Sequence, residues 1–357
     1  MPVSLASLGW DAWFADAFAA MAPPAGAAPA RVAVDYNYLY RLYAEEGEVD
    51  ARIAGRLKHR AASRAELPAA GDWVVMVRRP GEALATIRAV LPRKTRFSRR
   101  AAGQVANEQI VAANIDVVFL VSGLDEDFNL RRIERYLILA RESGARPVVL
   151  LTKSDLGADV PARVADVMAL AGDVPVHAVS SKVPHGVDVV RGYLAPGVTA
   201  ALLGSSGVGK STLINRLAGA DIQRTREVRL SDARGRHTTT NRELIILPDG
   251  GLVIDTPGMR ELQLWDVTRA LAETFGDVEA LAADCRFTNC RHVNEPQCAV
   301  KLAVTGGRLS QERLDSYHKL QAELRHLETE QDERAQSAEK RRPRVARRAQ
   351  RVFKPRG

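Results

Sequence analysis

The chain has 357 residues, of which 46% are hydrophobic and 26% charged, and its formal net charge is +8. These values match an ordinary globular protein of two or three domains and exclude a wholly disordered or fibrous chain. No apolar run reaches the ~20 residues of a membrane span, and no signal peptide is expected. Three cysteines are too few for a disulfide framework, so a reducing cytoplasm is predicted.

Two regions of different composition open the chain. Residues 1–30 are predicted to form an N-terminal extension, in which 21–30 is a linker because its prolines and glycine break any helix. Residues 31–95 contain short apolar or alternating runs separated by turn signals, which predict an OB-type β-barrel. Such barrels often bind nucleic acid, although a barrel that serves only for packing fits the pattern equally well.

A basic segment follows the predicted barrel. Residues 91–103 contain five basic residues and no acid, together with Pro92 and Gly103. This composition predicts an exposed basic linker, and its stretch 93–100 is a candidate contact for nucleic-acid phosphates.

Residues 96–264 are predicted to form the next domain, because strand-like and helix-like runs alternate from residue 114 onward. Strands rich in valine, leucine and isoleucine, separated by amphipathic segments, indicate a mostly parallel sheet covered by helices. In such α/β folds, ligands bind where the carboxyl ends of the strands lead into loops. The nucleotide motifs all follow strand patterns and therefore belong to this edge.

Two of these motifs favour guanine over adenine. Thr152-Lys153-Ser154-Asp155 ends one strand pattern, and Ser180-Ser181-Lys182 ends the next. A carboxylate at Asp155 can accept both hydrogens from the N1–H and 2-amino edge of guanine, which adenine lacks. An ATPase, the alternative that a phosphate motif alone would leave open, is disfavoured by this carboxylate.

A phosphate-binding motif starts at Gly204. The sequence from Gly204 to Ser211 fits G-x-x-x-x-G-K-[ST], and it lies between a strand pattern and a helix pattern. We expect its backbone N–H groups to hold phosphate, Lys210 to contact the β- and γ-phosphates, and Ser211 to coordinate Mg²⁺. The predicted GTP-binding residues are Thr152, Lys153, Ser154, Asp155, Ser180, Ser181, Lys182, Gly204, Ser205, Ser206, Gly207, Val208, Gly209, Lys210, Ser211, Thr212, Asp255 and Gly258.

Asp255 and Gly258 belong to a third nucleotide motif, which ends a further strand pattern. Asp255 is expected on the Mg²⁺ side of the site, and the Gly258 N–H is expected at the γ-phosphate. The polar loop 232–240 comes before this motif. One of its threonines, Thr239 or Thr240, is expected to bind Mg²⁺ in the triphosphate state.

The water-positioning residue of this predicted site is not the usual glutamine. Met259 stands at the position after the third motif where many GTPases have that glutamine, and its side chain cannot orient water. His237 in the loop 232–240 is the best candidate for orienting the attacking water as the catalytic residue. A solvated loop histidine without a catalytic role is the alternative.

All three cysteines lie near one histidine. Cys285, Cys290, His292 and Cys298 supply three thiolates and one imidazole within 14 residues, a common structural zinc set. Buried free cysteines or an iron–sulfur cluster are the alternatives. Residues 265–335 are therefore predicted to form a zinc-binding domain. Its charged helix, residues 310–335, is expected to pack on the metal segment through an apolar face formed by Leu314, Tyr317, Leu320, Leu324 and Leu327.

The excess positive charge lies at the C-terminal end. Residues 336–357 hold nine basic residues and one acid, whereas residues 1–335 hold 42 of each. A disordered basic tail is predicted, which either binds nucleic-acid phosphates or only solubilises the protein.

In combination, these motifs resemble those of the ribosome-small-subunit-dependent GTPase A family (RsgA, also called YjeQ). The base motifs at 152–182 precede the phosphate motif, the reverse of the usual order, so this domain resembles a circularly permuted GTPase domain. The stretch 235–240 and the cysteine spacing are also similar, and the likeness spans about residues 31–330. The implied fold is an OB-type β-barrel, a circularly permuted α/β P-loop GTPase domain and a C-terminal helical zinc-binding domain.

The resemblance also implies a function. It points to a GTP hydrolase that assists late maturation of the small ribosomal subunit, binds its rRNA and is stimulated by the subunit, with His237 as the catalytic residue. Mg²⁺ with GTP and one structural zinc ion are the implied cofactors, and a cytoplasmic monomer is expected. The competing interpretation is a GTP-regulated RNA- or protein-binding switch without a ribosomal role, in which hydrolysis is a slow timer.

Overall fold

The computed structural model describes residues 3–36, 38–79, 81–100, 108–157, 159–205, 207–219, 242–255, 275–287, 290–318 and 321. Among these residues the chain forms two units, one ending at residue 255 and one starting at residue 275, and each is described by itself. Within the described ranges, no helix combines the length and the apolar character that crossing a membrane requires.

The first unit begins with a closed five-stranded barrel. Its strands are β1 (Ala27–Asp35), β2 (Leu39–Ala44), β3 (Gly47–Ile53), β4 (Trp73–Val77) and β5 (Ala85–Val90). They are ordered β1-β2-β3-β5-β4, and β4 pairs again with β1. All neighbours are antiparallel except β3 and β5, and helix α2 (Gly55–Arg60) lies between β3 and β4. The predicted OB-type barrel is confirmed.

The N-terminal residues pack on this barrel. Helix α1 (Ala12–Ala20) follows Trp10, whose ring centroid lies 4.7 Å from that of the fully buried Trp73. The linker predicted over 21–30 is shorter than its composition indicates, because β1 already begins at Ala27 and pairs with β4. Pairing with β4 accommodates the alanines and the proline that the sequence pattern assigned to a loop.

The buried side chain of Arg31 connects the N-terminal segment, the barrel and the strand region after the barrel. Its side chain is almost fully buried, and its guanidinium donates hydrogen bonds to the carbonyls of Leu8, Gly71 at 3.2 Å and Asn114 at 3.0 Å. Burial lowers the pKa of Arg31 to about 10, so the group remains charged at neutral pH. Because a buried charge needs partners, this residue ties the N-terminal segment to the barrel and to the strand region that follows it.

The basic segment after the barrel contains a paired strand and a bound arginine, although Lys94 and Arg96 are exposed. Strand β6 (Arg96–Arg100) pairs antiparallel with β7 (Glu108–Ala113). The Arg93 side chain is 13% exposed and donates to both carboxylate oxygens of the buried Asp72, at 2.7 Å each. The predicted phosphate contact is therefore wrong for Arg93, because its guanidinium is bound inside the unit.

The rest of the first unit is a six-stranded sheet that continues the sheet of the barrel. Its strands are β8 (Val117–Gly123), β9 (Arg146–Thr152), β10 (Val176–Ala178), β11 (Thr199–Gly204), β12 (Glu243–Ile246) and β13 (Leu252–Asp255). The order is β10-β9-β8-β11-β13-β12, parallel except for β12, which also pairs antiparallel with β1. Its helices are α3 (Leu130–Ser143), α4 (Val160–Ala171), α5 (Asp188–Arg191) and α6 (Lys210–Ala218). The predicted α/β domain is confirmed.

Local sequence explains where these elements begin and end. Every residue of β8 is buried, as its continuous apolar run predicts for a central parallel strand. Helix α3 starts after Asn129, whose side chain accepts a hydrogen bond from the Arg132 N–H at 3.1 Å, and it ends at Gly144 with a left-handed φ of 81°. The Asn129 cap fixes the end of the loop that leaves the carboxyl end of β8, and the Gly144 cap precedes the start of β9 at the opposite edge of the sheet.

The second unit is described from residue 275. It contains α7 (Gly276–Ala282), α8 (Ala299–Thr305) and a helical stretch over 311–318. Leu314 and Tyr317, two members of the predicted apolar helix face, are each 3% exposed. The other predicted members of that face, Leu320, Leu324 and Leu327, lie outside the described residues, as does the basic tail.

Candidate nucleotide and metal sites

The predicted phosphate motif forms a tight loop between β11 and α6. Gly207 and Gly209 have left-handed φ values of 80° and 95°, a conformation that glycine adopts without steric cost. The Lys210 ammonium donates to the carbonyls of Gly204 at 2.7 Å and Ser205 at 2.6 Å. Ser211 is exposed on the first turn of α6. The loop therefore combines a cation, an exposed serine and a helix N-terminus, which together suit a phosphate.

The first base motif follows β9, two strands from the phosphate loop. Thr152 is 4% exposed, and its hydroxyl donates to the Val208 carbonyl at 2.6 Å, with the Ser122 carbonyl 3.2 Å away. Thr152 therefore joins the base motif directly to the phosphate loop. Lys153 follows with a left-handed φ of 60°.

The two base motifs meet through Asp155. Its Oδ1 accepts a hydrogen bond from the Ser180 hydroxyl at 2.6 Å, and its Oδ2 lies 3.9 Å from the Lys182 ammonium. The Ser180 hydrogen bond lowers the pKa of Asp155, so the carboxylate stays ionised at neutral pH. An ionised carboxylate held in this way is the acceptor that guanine recognition needs.

The third motif ends at the same edge of the sheet. Asp255 is the last residue of β13, which runs parallel to β11. Ser206, the loop 232–240 with His237, Thr239 and Thr240, and the segment with Gly258 and Met259 lie outside the described residues. Among the described residues, the carboxyl ends of β9, β10, β11 and β13 thus bring the predicted base, phosphate and magnesium side chains to one edge.

Sequence reasoning missed two side chains at this edge. Asp125 forms an ion pair with Lys153, and Arg132 donates to the Ser205 hydroxyl. Both follow β8, so their position after a fully buried strand is a signal that they belong to the ligand-binding edge. The pairings themselves join residues 28 and 73 positions apart, which no local pattern reveals.

The four predicted metal ligands converge in the second unit. Cys285 Sγ lies 3.6 Å from His292 Nδ1 and 3.9 Å from Cys298 Sγ, and His292 Nδ1 lies 3.3 Å from Cys298 Sγ. All four ligand atoms, including Cys290 Sγ, are within 4.8 Å of one another. Zinc bonds of ~2.3 Å to sulfur and ~2.0–2.1 Å to nitrogen place tetrahedral ligands about 3.6–3.8 Å apart, so the cluster can hold such an ion.

The surroundings of the cluster favour the thiolate of Cys285 and disfavour that of Cys290. Burial raises the pKa of Cys285, but hydrogen bonds from the backbone N–H groups of Val300 and Ala299, at the start of α8, bring it below its ordinary value. Burial raises the pKa of Cys290 to about 11. Since crowded thiolates repel one another, a bound cation is the partner that this donor set calls for.

One carboxylate fixes the loop that carries the histidine. Glu295 accepts backbone hydrogen bonds from Arg291 at 2.9 Å, Val293 at 2.9 Å and Asn294 at 3.1 Å. His292 lies inside this loop with a left-handed φ of 59° and is 5% exposed. The carboxylate therefore holds the backbone in the conformation that turns the imidazole inward.

Comparisons with known proteins agree with this geometry. Residues 90–265 match the model of the RsgA GTPase family. A curated "Small ribosomal subunit biogenesis GTPase RsgA" of Opitutus terrae is 52% identical over 331 residues, which cover 90% of each chain. A relative of the same description from Syntrophotalea carbinolica is 43% identical over 350 residues, which cover 95% of this chain and 94% of the relative.

Two solved structures share the fold. The crystal structure of YjeQ from Thermotoga maritima has a TM-score of 0.61 and 27% identity, covering 84% of this chain and 98% of that chain. The structure of YloQ, described as a circularly permuted GTPase, has a TM-score of 0.57 and 24% identity, covering 84% of this chain and 96% of that chain. The N-terminal barrel, the central α/β domain and the C-terminal Cys/His cluster are thus the parts of one known architecture.

Proposed function

Because the chain belongs to the RsgA GTPase family and is accordingly a GTPase, we propose that it hydrolyses GTP to time a late step in the maturation of the small ribosomal subunit. The observation that carries the proposal is the meeting of the base and phosphate motifs at one edge, through the Thr152–Val208 and Asp155–Ser180 hydrogen bonds. The curated relatives of this chain are named for small-subunit biogenesis, which supports the partner. A cytoplasmic location and a monomeric state go with this proposal.

Different side chains at this edge bind different parts of GTP. Asp155 accepts from the N1–H and 2-amino groups of guanine, and Lys153 lies along the base. Lys210 moves from the Gly204 and Ser205 carbonyls to the β- and γ-phosphates when nucleotide enters, because phosphate is a stronger acceptor than a carbonyl. Ser211 and Asp255 would hold Mg²⁺, which neutralises charge on the phosphates during transfer.

Hydrolysis further requires an oriented water. Met259 cannot supply this contact, and we propose that His237 orients the water when the small subunit is bound. Basal hydrolysis is then slow, and stimulation by the subunit is large. Thr239 is the proposed switch contact to Mg²⁺.

We also propose that the ion at the Cys/His cluster is zinc. Three thiolates and one imidazole at near-tetrahedral spacing favour Zn²⁺, and four protein ligands leave no open position for chemistry. The ion therefore serves folding, and it fixes the second unit as a module that can contact rRNA or ribosomal protein.

The deciding experiment measures GTP turnover with and without purified small ribosomal subunits. We expect stimulation by small subunits, little effect of large subunits, and loss of the stimulated rate in His237→Ala with nucleotide affinity nearly intact. Absence of stimulation would defeat the ribosomal proposal and favour the GTP-regulated switch without a ribosomal role. A fully stimulated rate in His237→Ala would remove only this residue from the mechanism.

A further inference from the structure

A short acidic loop follows β8, contacts the base motif directly and reaches the phosphate loop through Arg132. We call residues 124–129 the acidic loop, since it contains Asp125, Glu126 and Asp127. It is anchored at one end by a hydrogen bond from the Leu124 N–H to the Thr152 carbonyl at 2.9 Å, and at the other by the cap of α3. Its backbone is therefore fixed before any ligand is present.

Asp125 holds the lysine of the base motif. Its Oδ2 accepts a hydrogen bond from the Lys153 ammonium, and the two side chains are 32% and 28% exposed. A second hydrogen bond, from the Asp127 N–H to Asp125 Oδ1 at 3.3 Å, fixes the carboxylate within the loop. Because the lysine backbone is also fixed in the left-handed region, its stem is restricted at both ends.

Arg132 holds the phosphate loop in a similar way. Its terminal Nη1 lies 2.7 Å from both carboxylate oxygens of Asp127 and donates to the Ser205 hydroxyl. Ser205 is the residue whose carbonyl, with that of Gly204, accepts the Lys210 ammonium. Arg132 thus fixes the part of the loop from which the phosphate-binding lysine extends.

From these contacts we propose that Asp125 and Arg132 are positioning residues for GTP, Asp125 acting through Lys153 on the base and Arg132 acting through Ser205 on the phosphates. The proposal rests on the proposed nucleotide site and adds to it the element that sets the distance between its two halves. Pre-ordered side chains raise affinity because less conformational entropy is lost when the ligand binds. The acidic loop touches no part of the nucleotide in this scheme.

Double-mutant cycles with a fluorescent GDP analogue test the proposal, since they separate positioning from general stabilisation. We expect Asp125→Asn to weaken GDP binding about tenfold in the full-length protein, and to have little effect in a Lys153→Ala background. Arg132→Gln should behave in the same way towards Ser205→Ala. The matched control is Asp166→Asn, an exposed aspartate on α4, which should change neither affinity nor melting temperature.

The outcomes are distinct. Equal weakening by Asp125→Asn with and without Lys153, or a lowered melting temperature with unchanged affinity, would show a merely structural role and overturn the proposal. Should Asp125→Asn fail to fold, Gly123→Ala replaces it, because a Cβ there would clash with Asp125 Oδ1 and displace the carboxylate. Failure of the unmodified protein to bind GDP would instead overturn the proposed nucleotide site.

Discussion

The two units hold their functional loops by different means. At the nucleotide edge, the loops extend from a parallel sheet with a large buried core and are joined by hydrogen bonds such as those of Thr152 and Asp155. In the described part of the second unit, the loop between α7 and α8 is organised by four metal-ligating side chains and by Glu295. We therefore expect the nucleotide site to keep its shape without a ligand, and the loop that carries the Cys/His cluster to depend on a bound ion.

The strongest test of this difference is removal of the metal. Structural zinc contributes about 10–16 kcal/mol of apparent folding free energy in small modules, so Cys298→Ser or a strong chelator should unfold the second unit. Nucleotide affinity of the first unit should change by less than about threefold. Metal content, circular dichroism and a GDP titration measure the three effects.

The control for that experiment is Thr305→Ser, an exposed position on α8. It should retain both the metal and the helical signal. Two results would contradict the difference between the units: a second unit that keeps its fold without the ion, or a loss of GDP binding when the ion is removed.

A second, smaller effect is expected at the buried ion pair between Asp72 and Arg93 in the first unit. Asp72 is fully buried and accepts two hydrogen bonds from Arg93 and one from the Ala69 N–H at 2.8 Å. Replacing it by asparagine leaves the Arg93 charge without its counter-ion, which costs about 3–5 kcal/mol when such a pair is buried. Urea unfolding followed by tryptophan fluorescence should show this decrease in the free energy of unfolding.

The comparison variant for this pair is Asp50→Asn. Asp50 pairs with Arg41 at 3.1 Å, but both side chains are more than 40% exposed, so solvent screening limits the expected loss to less than about 1 kcal/mol. Similar losses at the two positions would contradict the argument that burial makes the Asp72 pair important.

These residues also show what the sequence could and could not predict. Motifs whose members are close along the chain, such as Gly204–Ser211 and Cys285–Cys298, specify their own geometry and were predictable. The basic neighbours of Arg93 predict an exposed linker there, and only the distant Asp72 explains its burial. In the same way, Trp10 packs on Trp73 across 63 positions, so the N-terminal extension could not be recognised as part of the barrel.

A third prediction addresses the ligand itself. Lys210→Ala should weaken GDP and GTP binding about 100-fold, the order expected when a charge-assisted hydrogen bond to phosphate is lost. The fold should be unchanged, because the loop conformation rests on Gly207, Gly209 and the Thr152 hydrogen bond. Fluorescent nucleotide titration measures the affinity, and Lys301→Ala in the second unit is the control. Unchanged affinity in Lys210→Ala would mean that the loop does not bind phosphate.

The smallest predicted effect is at Glu295, which is not a metal ligand but stabilises the backbone of the loop that carries His292. Glu295→Gln retains one oxygen acceptor of the two that bind the Arg291, Val293 and Asn294 N–H groups, so metal retention against a competing chelator should fall by about tenfold or less. The backbone hydrogen bonds, first of all that from Arg291, lower the pKa of Glu295 to about 2.

A carboxyl group whose pKa is lower in the folded state stabilises that state fully above its unfolded pKa, which is ~4.3 for glutamate, and this stabilisation is lost as the pH falls towards 2. Between pH 5 and pH 8, Glu295 therefore remains ionised and contributes a constant amount. The ratio of metal retention between Glu295→Gln and the unmodified protein should accordingly be flat over that range. A ratio that changes with pH there would indicate that the carboxylate acts through a ligand's protonation, and not through the backbone of the loop.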